Sequence, residues 1–600
     1  CLVGSEMCIR DRYSQYPGEV MTEPEGSFPN KYKEVVWDQN YYVADVYGTY
    51  NRTFAEKHNL TLIAGYNYEA KYYRDLTAAN DGLLSEDLSD FNLAKGTTNF
   101  TLNGGRNEYA IMGLFYRAAY DYRGKYLFEV NGRYDGTSRF PRGKRYGFFP
   151  SFSAAYRISE EPFFEPLRKA VDNLKIRLSY GSLGNQQIGY YDFIQTITTK
   201  GSMSDYSFDG TVLGQHATVS DPVSGDQTWE KVVSKNLGLD LNMFNNRLSL
   251  TTDFYIRDTK GILGKGKSLP SIYGASEPQM NANNLRTKGY ELVLGWRDSF
   301  KLAGSTFSYG ITGTFSDYTA EYTKCDNPTG LIGDPYVGKK YGEIWGYKVD
   351  GLFRNDKEAA EYASRIDLST VASGYYTATG AYGKGVRGGD IKYLDLNGDG
   401  YVNNGNNTIY DHGDLVKIGN TTPRYSYSIQ GGVRWNGIGI SMMWQGVGKR
   451  DWYPAKESGY FWGQYGRPYS MALPWHNSDR WSPTNRGAYW PRLVGYSASD
   501  SGLILAQPNT RYVQDASYIR LKNLTIDYNF PKELVNKIGL QALKIYVSGE
   551  NLLTFSPLKK YAKNYDPEGI YAGDADYGTN KFGSDNFGDG DGYPVMKSYT

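Results

Sequence analysis

Long segments of two-residue alternation constrain this chain more than any other feature. In residues 248–256, Leu248, Leu250, Phe254 and Ile256 alternate with Ser249, Thr251, Asp253 and Tyr255. In 425–435, Tyr425, Tyr427, Ile429, Val433 and Trp435 alternate with Ser426, Ser428, Gln430 and Arg434. Successive side chains of an extended strand point to opposite faces, so each segment has one apolar and one polar side. The same pattern predicts strands near 60–68, 111–122, 126–134, 151–158, 174–180, 235–243, 289–296, 307–315, 438–445, 518–530 and 543–550. Many reach the roughly 9–11 residues that a tilted strand needs to cross a bilayer, against about 5 or 6 in soluble sheets. Segment 518–530 changes phase, from Ile519 and Leu521 to Leu524, Ile526, Tyr528 and Phe530, which predicts a bulge near Lys522 or Asn523.

The connections come in two sizes. Arg123 with Gly124, residues 244–247, and Asn436 with Gly437 are tight turns, the last a strong hairpin signal because both positions need positive φ. Between these hairpins run loops rich in Gly, Asn, Asp and Tyr at about 181–234, 257–288, 316–424, 446–516 and 556–600, which use much of the chain's 70 glycines and 57 tyrosines. Short turns on one side and long loops on the other are the asymmetry of an outer-membrane barrel, and a soluble sandwich or propeller requires no such alternation. Helical pattern is confined to pieces such as 356–365 and 531–538. No apolar run reaches the roughly 18 residues of a helical membrane span. With 66 basic against 65 acidic residues the chain carries no overall field, which excludes a nucleic-acid partner bound by bulk charge. The fold class expected is all-β, a large antiparallel transmembrane β-barrel. Leu250 and Ile429 are assigned to its lipid face, Ser249 and Gln430 to its lumen.

The opening CLVGSEMCIRDR lacks both an initiator Met and a signal-peptide pattern and is similar to translated adapter sequence, so residues 1–12 are set aside as a non-native leader. Residues 13–600 are assigned to the barrel and its extracellular loops. The other end, through Tyr593, Pro594, Val595, Met596, Lys597 and Ser598, shows no closing strand. The three cysteines, Cys1, Cys8 and Cys325, form no disulfide framework.

Several motifs carry chemistry elsewhere. Residues 261–268, GILGKGKS, match a phosphate-binding loop, but Pro270 and Gly274 follow where a helix should begin, so a flexible glycine loop is expected. Gly383, Gly385 and Gly388 match a dinucleotide fingerprint only in spacing. Asp395, Asn397, Asp399, Tyr401 and Asn403 (DLNGDGYVN) supply oxygens at the alternate positions of a calcium loop, with Tyr401 offering its carbonyl. Asn406 replaces the usual bidentate Glu, and Asp390, Asp411 or Asp414 could complete a shell, so bound Ca2+ and a solvated Asx turn are the two readings. His58, His216, His412 and His476 lack metal spacing, and no nucleophile elbow is present, so no catalytic site is expected. Residues 452–490 concentrate Trp452, Tyr453, Tyr460, Phe461, Trp462, Tyr465, Tyr469, Trp475, Trp481, Tyr489 and Trp490 among polar groups. Aromatic faces beside fixed hydrogen-bonding groups suit sugar rings, which makes Trp452, Tyr460, Trp462, Trp475 and Trp481 the candidate substrate-binding residues. The competing reading is an interfacial girdle or loop-core packing.

Eight blocks then carry a family resemblance: DGTSRF from Asp135, RYGFFPSFSAAYRISE from Arg145, NLKIRLSYGSLGNQ from Asn173, WEKVVSKNLGLD from Trp229, KGYEL from Lys288, GDIKYLDLNGDG from Gly389, DASYIRLKNL from Asp515 and SGENLL from Ser548. In this order they resemble the SusC/RagA family of TonB-dependent outer-membrane transporters of Bacteroidota. The resemblance implies a barrel of about 22 strands, an N-terminal plug, a SusD-like surface lipoprotein as lid, energy delivered through the TonB complex, and import of oligosaccharides or, less often, peptides without chemical change. The plug and TonB box have no counterpart before Tyr13, and the usual last strand has none after Ser598. Loop 316–424, the longest, is the candidate for contact with the lid. The runner-up function is a secreted all-β glycan-binding protein or glycosidase using the same aromatic loops.

Overall fold

Positive-φ hairpins punctuate the chain at Ala55 and Glu56, Arg123 and Gly124, residues 244–246, Ala303 and Gly304, and Asn436 and Gly437. Three of these five were legible as turns in the sequence. They join long strands of one antiparallel sheet, seen in a computed structural model. The structure describes the chain except residues 1–5, 17–30, 83–89, 97–99, 201–206, 209–210, 213–215, 267–268, 376–384, 456–457, 467–472, 495–504 and 571–594. Among the described residues the sheet has 16 strands in chain order. They are β1 (Glu6–Tyr16), β2 (Lys31–Phe54), β3 (His58–Asp81), β4 (Thr101–Tyr122), β5 (Tyr126–Thr137), β6 (Tyr146–Arg157), β7 (Val171–Asn185), β8 (Glu230–Met243), β9 (Leu248–Lys265), β10 (Gln279–Leu302), β11 (Ser305–Lys324), β12 (Arg424–Trp435), β13 (Ile438–Lys449), β14 (Tyr518–Asn529), β15 (Lys544–Phe555) and β16 (Ser598–Tyr599). Among the described residues no helix is long and apolar enough to cross a membrane.

The chain divides into two units. The first comprises Cys1–Tyr156, Leu178–Lys235 and Asp258–Ala282. In it β3 pairs along its whole length with β2 and with β4, and its even-numbered residues from Leu62 to Leu76 are exposed except Ala70, while odd-numbered ones are half-buried. The even row of β3, with Leu114, Tyr116, Phe128, Val130, Tyr134, Phe148 and Phe152 on the following strands, forms an outward apolar face. The opposite face is polar: Asn67 donates to Asp45 at 2.7 Å, the Tyr109 hydroxyl donates to Glu69 at 2.6 Å, and Arg117 grips Glu129 through two bonds of 3.0 and 2.7 Å.

The second unit comprises Arg157–Arg177, Asn236–Arg257 and Asn283–Thr600. Register puts Ile311, Gly431 and Met442 in one outward row and Val433, Ile440 and Ile526 in the next. Ile526 and Val547, also paired, are 50% and 65% exposed, which only a hydrocarbon surround makes favourable over so continuous a surface. Near the tight turns a belt of rings closes this face: Phe244 with Trp296, Phe300 with Phe307 and Tyr309, and Trp435, whose indole donates to the Leu302 carbonyl at 3.1 Å. Inward-facing residues are polar. Thr314 and Ser428 share a hydrogen bond of 2.7 Å, and Arg177 holds Asp240 and Asp253 together through four bonds of 3.0 Å.

The bulge expected in 518–530 is present. Register slips between Leu521 and Asn523, so Lys522 is the extra residue and both apolar sets face outward. Strands are longer than the alternation suggested. β9, β10 and β11 continue through much of 257–288 and 316–324, which the sequence placed in loops, and β2 was not anticipated. Residues 6–12, set aside as leader, belong to β1, which pairs with Lys31–Tyr41 of β2. An open strand edge takes up an extended segment through backbone groups alone, whatever its side chains. The apparent phosphate loop is strand from Gly261 to Lys265, while Lys267 and Ser268 lie outside the described residues.

The two faces differ in what they tolerate. Ile429, outward and 43% exposed, lies opposite Gly313 and Trp444, whereas Gln430 faces inward. Ile429→Arg should destabilise the sheet in a bilayer by about 2–4 kcal/mol if it sits near the midplane, and Gln430→Arg by much less. Denaturant unfolding in lipid vesicles checks the difference, and equal losses would reverse the assignment of faces.

Candidate functional site

The loops after β11, β13 and β15 build a compact aromatic module within the second unit. Three short strand pairs frame it: Glu343–Tyr347 with Leu415–Asn420, Val349–Leu352 with Ile391–Tyr393, and Asp451–Trp452 with Gln514–Asp515. A helix, Asp356–Ala363, starts where the Asn355 side chain accepts from the Glu358 amide at 2.9 Å and the Glu358 carboxylate accepts from the Arg354 amide at 2.7 Å. Each side chain satisfies a backbone donor the helix leaves free.

Within the module Trp490 is the hub. Tyr465 and Tyr512 stack on it with centroids at 5.7 and 5.8 Å, and His476 meets its ring edge-on at 4.5 Å. Phe461 packs edge-to-face on both Trp462 and Trp490. Beside them the half-buried Arg492 grips the fully buried Asp390, with bonds of 2.7 and 2.9 Å. Burial pushes Asp390 above the ordinary carboxylate range, against the pull of Arg492 and of the Arg387 amide. Arg450, also buried, donates to the carbonyls of Thr421, Pro567 and Ile570, tying the loop after β15 to the module. Burial lowers its pKa.

These surroundings separate the candidate aromatics. Trp452 and Trp462 are 4% and 1% exposed, inside the hydrophobic core, so they hold the module together and present no ring to a ligand. For these two the packing alternative replaces the substrate assignment, because the loops fold on themselves and need a core of their own. Tyr460 is 41% exposed. Trp475 and Trp481 sit half-buried at the margin of the core, and their indole N–H groups are buried without a hydrogen-bond partner. A Cβ at Gly389 would meet the Trp481 ring at 2.5 Å, so that glycine makes room for the indole, and its φ of 88° also favours glycine. Lys563 lies over the Trp475 ring at 5.5 Å. Tyr469 and Gly383 lie outside the described residues. Sequence reasoning missed the Arg492–Asp390 and Arg520–Asp566 pairs, whose partners are far apart in the chain and bear no motif.

The DLNGDGYVN loop closes on its own backbone. Asp395 accepts from the amides of Gly398 and Gly400 at 2.7 and 2.9 Å, Asn397 from Asp399 at 2.9 Å, Asp399 from Tyr401 at 2.8 Å, and Asn403 from Gly405 at 2.7 Å. Asp414, fully buried, accepts from the amides of Leu396 and Asn403. Among the described residues no group of three His, Cys, Asp or Glu side chains converges as a metal site. The donors are hard oxygens of the kind calcium takes, but each of these side chains is engaged as an Asx turn.

An outward apolar face ringed by aromatics, an inward face of ion pairs, short turns at one end and an elaborate loop module define an outer-membrane β-barrel. Residues 9–343, more than half of the chain, match the family described as TonB dependent receptor-like, beta-barrel. The chain belongs to this family. TonB-dependent receptor P3 of Formosa agariphila is 28% identical over 93% of this chain and 51% of its own length. TonB-dependent receptor SusC of Bacteroides thetaiotaomicron is 25% identical over 50% of this chain and 28% of its own. Among solved structures the RagAB peptide transporter superposes with a TM-score of 0.71 at 20% identity, over 99% of this chain and 58% of that one. The chain spans about half the length of the curated receptors it matches most fully. Its relatives are receptors, not enzymes, and the outward apolar face removes the reading as a secreted soluble protein.

Two measurements bear on the module. His476 donates from Nε2 to the Phe461 carbonyl at 2.7 Å while Nδ1 is buried without a partner, and burial holds the imidazole below its ordinary pKa. A depressed histidine pKa gives stability that is present above about pH 6.5 and lost as pH falls below it. Amide protection factors around Trp462 and Trp475, corrected for the intrinsic pH dependence of exchange, should therefore fall from pH 7 to 5, and His476→Gln should flatten that dependence. For the DLNGDGYVN loop, calorimetric titration with Ca2+ should give no heat in the wild type or in the double variant Asp395→Ala, Asp399→Ala. A calcium-dependent rise in melting temperature confined to the wild type would place the ion there.

Proposed function

We propose that this chain is the barrel part of a TonB-dependent importer of oligosaccharides, or less often peptides, working with a SusD-like surface lipoprotein. Family membership supports the transport class. What supports a sugar-sized ligand is the margin of the loop module, where Tyr460, Trp475 and Trp481 offer ring surface next to buried N–H groups that lack acceptors. A sugar ring stacks its C–H face on an exposed aromatic ring while nearby polar groups bond its hydroxyls. The mechanism follows from the layout. Loops and lipoprotein capture the ligand outside, the polar lumen wall offers hydrogen bonds in place of water, and TonB supplies the work from the inner membrane. The transported molecule leaves unchanged. The long segment between β11 and β12, now 325–423, is the proposed contact for the lid.

Uptake of fluorescent oligosaccharide by cells carrying the full-length receptor tests this. Trp475→Ala with Trp481→Ala should weaken ligand binding by about tenfold or more, as two modest ring interactions are lost, with the barrel still folded. Undiminished uptake in cells lacking the receptor would overturn the transport reading, and unchanged affinity in the double variant would overturn the site.

A further inference from the structure

Several strand arginines of the sheet are paired with carboxylates, while among the described residues Arg52, Arg157, Arg257 and Arg297 are not. Arg117 pairs with Glu129, Arg133 with Asp135, Arg177 with Asp240 and Asp253, Arg424 with Asp317, Arg434 with Asp527, and Arg520 with Asp566. Arg74 on β3 and Arg106 on β4 differ. They lie directly opposite each other in register, both exposed, on the outward row that carries Leu62, Tyr66, Tyr68 and Tyr72. Among the described residues neither has an ion pair. Like charges facing across a strand pair repel, and an anion between them relieves that repulsion.

We propose that Arg74 and Arg106 form a site for the phosphorylated sugar headgroup of an outer-leaflet lipid. Three observations fix that ligand class. The arginine row follows immediately on Tyr42 and Tyr72, which meet edge-to-face at 6.2 Å on the outward face far from the tight turn at Ala55 and Glu56, toward the level at which headgroups lie. The long loops and strand extensions are extracellular in barrels of this kind, so that border belongs to the outer leaflet. The groove there, about 440 Å3, is also lined by Asn40 and Tyr191. Tyr191 is a bulky residue held at φ 64°, and its hydroxyl accepts from the Glu108 amide at 3.2 Å, leaving its own hydrogen to donate outward.

Asp38 and Glu108 line the same groove, so its four charges cancel and bulk attraction to anions is not the source of binding. Asp38 lies opposite Arg74 but takes a hydrogen bond from Asn40. Selectivity lies in two guanidinium groups side by side, which match the oxygens of one phosphate, with amide and phenol groups for hydroxyls. One row further out Val36 and Leu76 give exposed apolar surface that the C–H face of a sugar can cover. The proposal rests on the membrane placement of the sheet, not on what is transported.

The test uses the receptor purified from its native outer membrane, with native mass spectrometry and titration of three probes: lipopolysaccharide of that membrane, its dephosphorylated form, and inorganic phosphate. Wild type should retain lipopolysaccharide and bind the dephosphorylated form markedly more weakly. Each of Arg74→Gln and Arg106→Gln should weaken binding about fivefold, and the pair about 25-fold, as expected for charges lost beside an anionic surface. Arg74→Lys with Arg106→Lys should restore part of it. Equal affinity for both lipid forms, or binding of inorganic phosphate without lipid, would overturn the proposal. So would a photocrosslinker at position 74 that captures protein instead of lipid. The wild-type comparison of the two lipid forms decides even if a variant fails to fold.

Discussion

A backbone in hydrocarbon has no water to bond with, and everything regular in this molecule answers to that. Each strand must give its N–H and C=O groups to its neighbours, which keeps the chain extended and forces side chains into alternate rows. The tight hairpins serve the same end: left-handed residues such as Asn436 and Gly437 reverse the chain with no loss of pairing. Even the exception at Lys522 conserves the ladder. One residue bulges so that Leu521 and Leu524 can both face outward.

Alternation was legible wherever the two faces meet different media. It placed thirteen of the strands, three of the hairpins and the bulge. It failed on β2, where Trp37, Tyr41 and Val43 lie on one row and Tyr42, Val46 and Tyr50 on the other, so that neither row reads as polar. It also stopped short on β9, β10 and β11, whose ends carry polar residues on both faces. There the hydrogen-bond ladder continues without a hydrophobic signal to announce it. The candidate site was legible only as a concentration of aromatics. Which rings would be walls and which would be core depends on Asp390, Arg492 and Tyr512 arriving from distant parts of the chain, and local composition holds no trace of that.

The loop module shows how so much chain can stand above a barrel without the barrel's support. It has its own core around Trp490, its own capped helix, and its own ion pair on the buried Asp390. Its aromatic richness is therefore first a matter of folding: large rings bury much surface per residue, which suits loops that can spare few positions for a core. Tyr460, Trp475 and Trp481 are left at the module's margin.

Glycines lie beside several of the inward ion pairs. A Cβ at Gly238 would strike Arg177 and Asp253 at 2.6 Å, one at Gly439 would strike Arg434 and Asp527 at 2.6 Å, and Gly113 stands in the same relation to Asp135 and Arg133. Bare backbone there lets long charged side chains lie down along the wall instead of standing off it. The inward face keeps its fixed charges with little side chain standing off it, so it is ionic in character and shallow in relief.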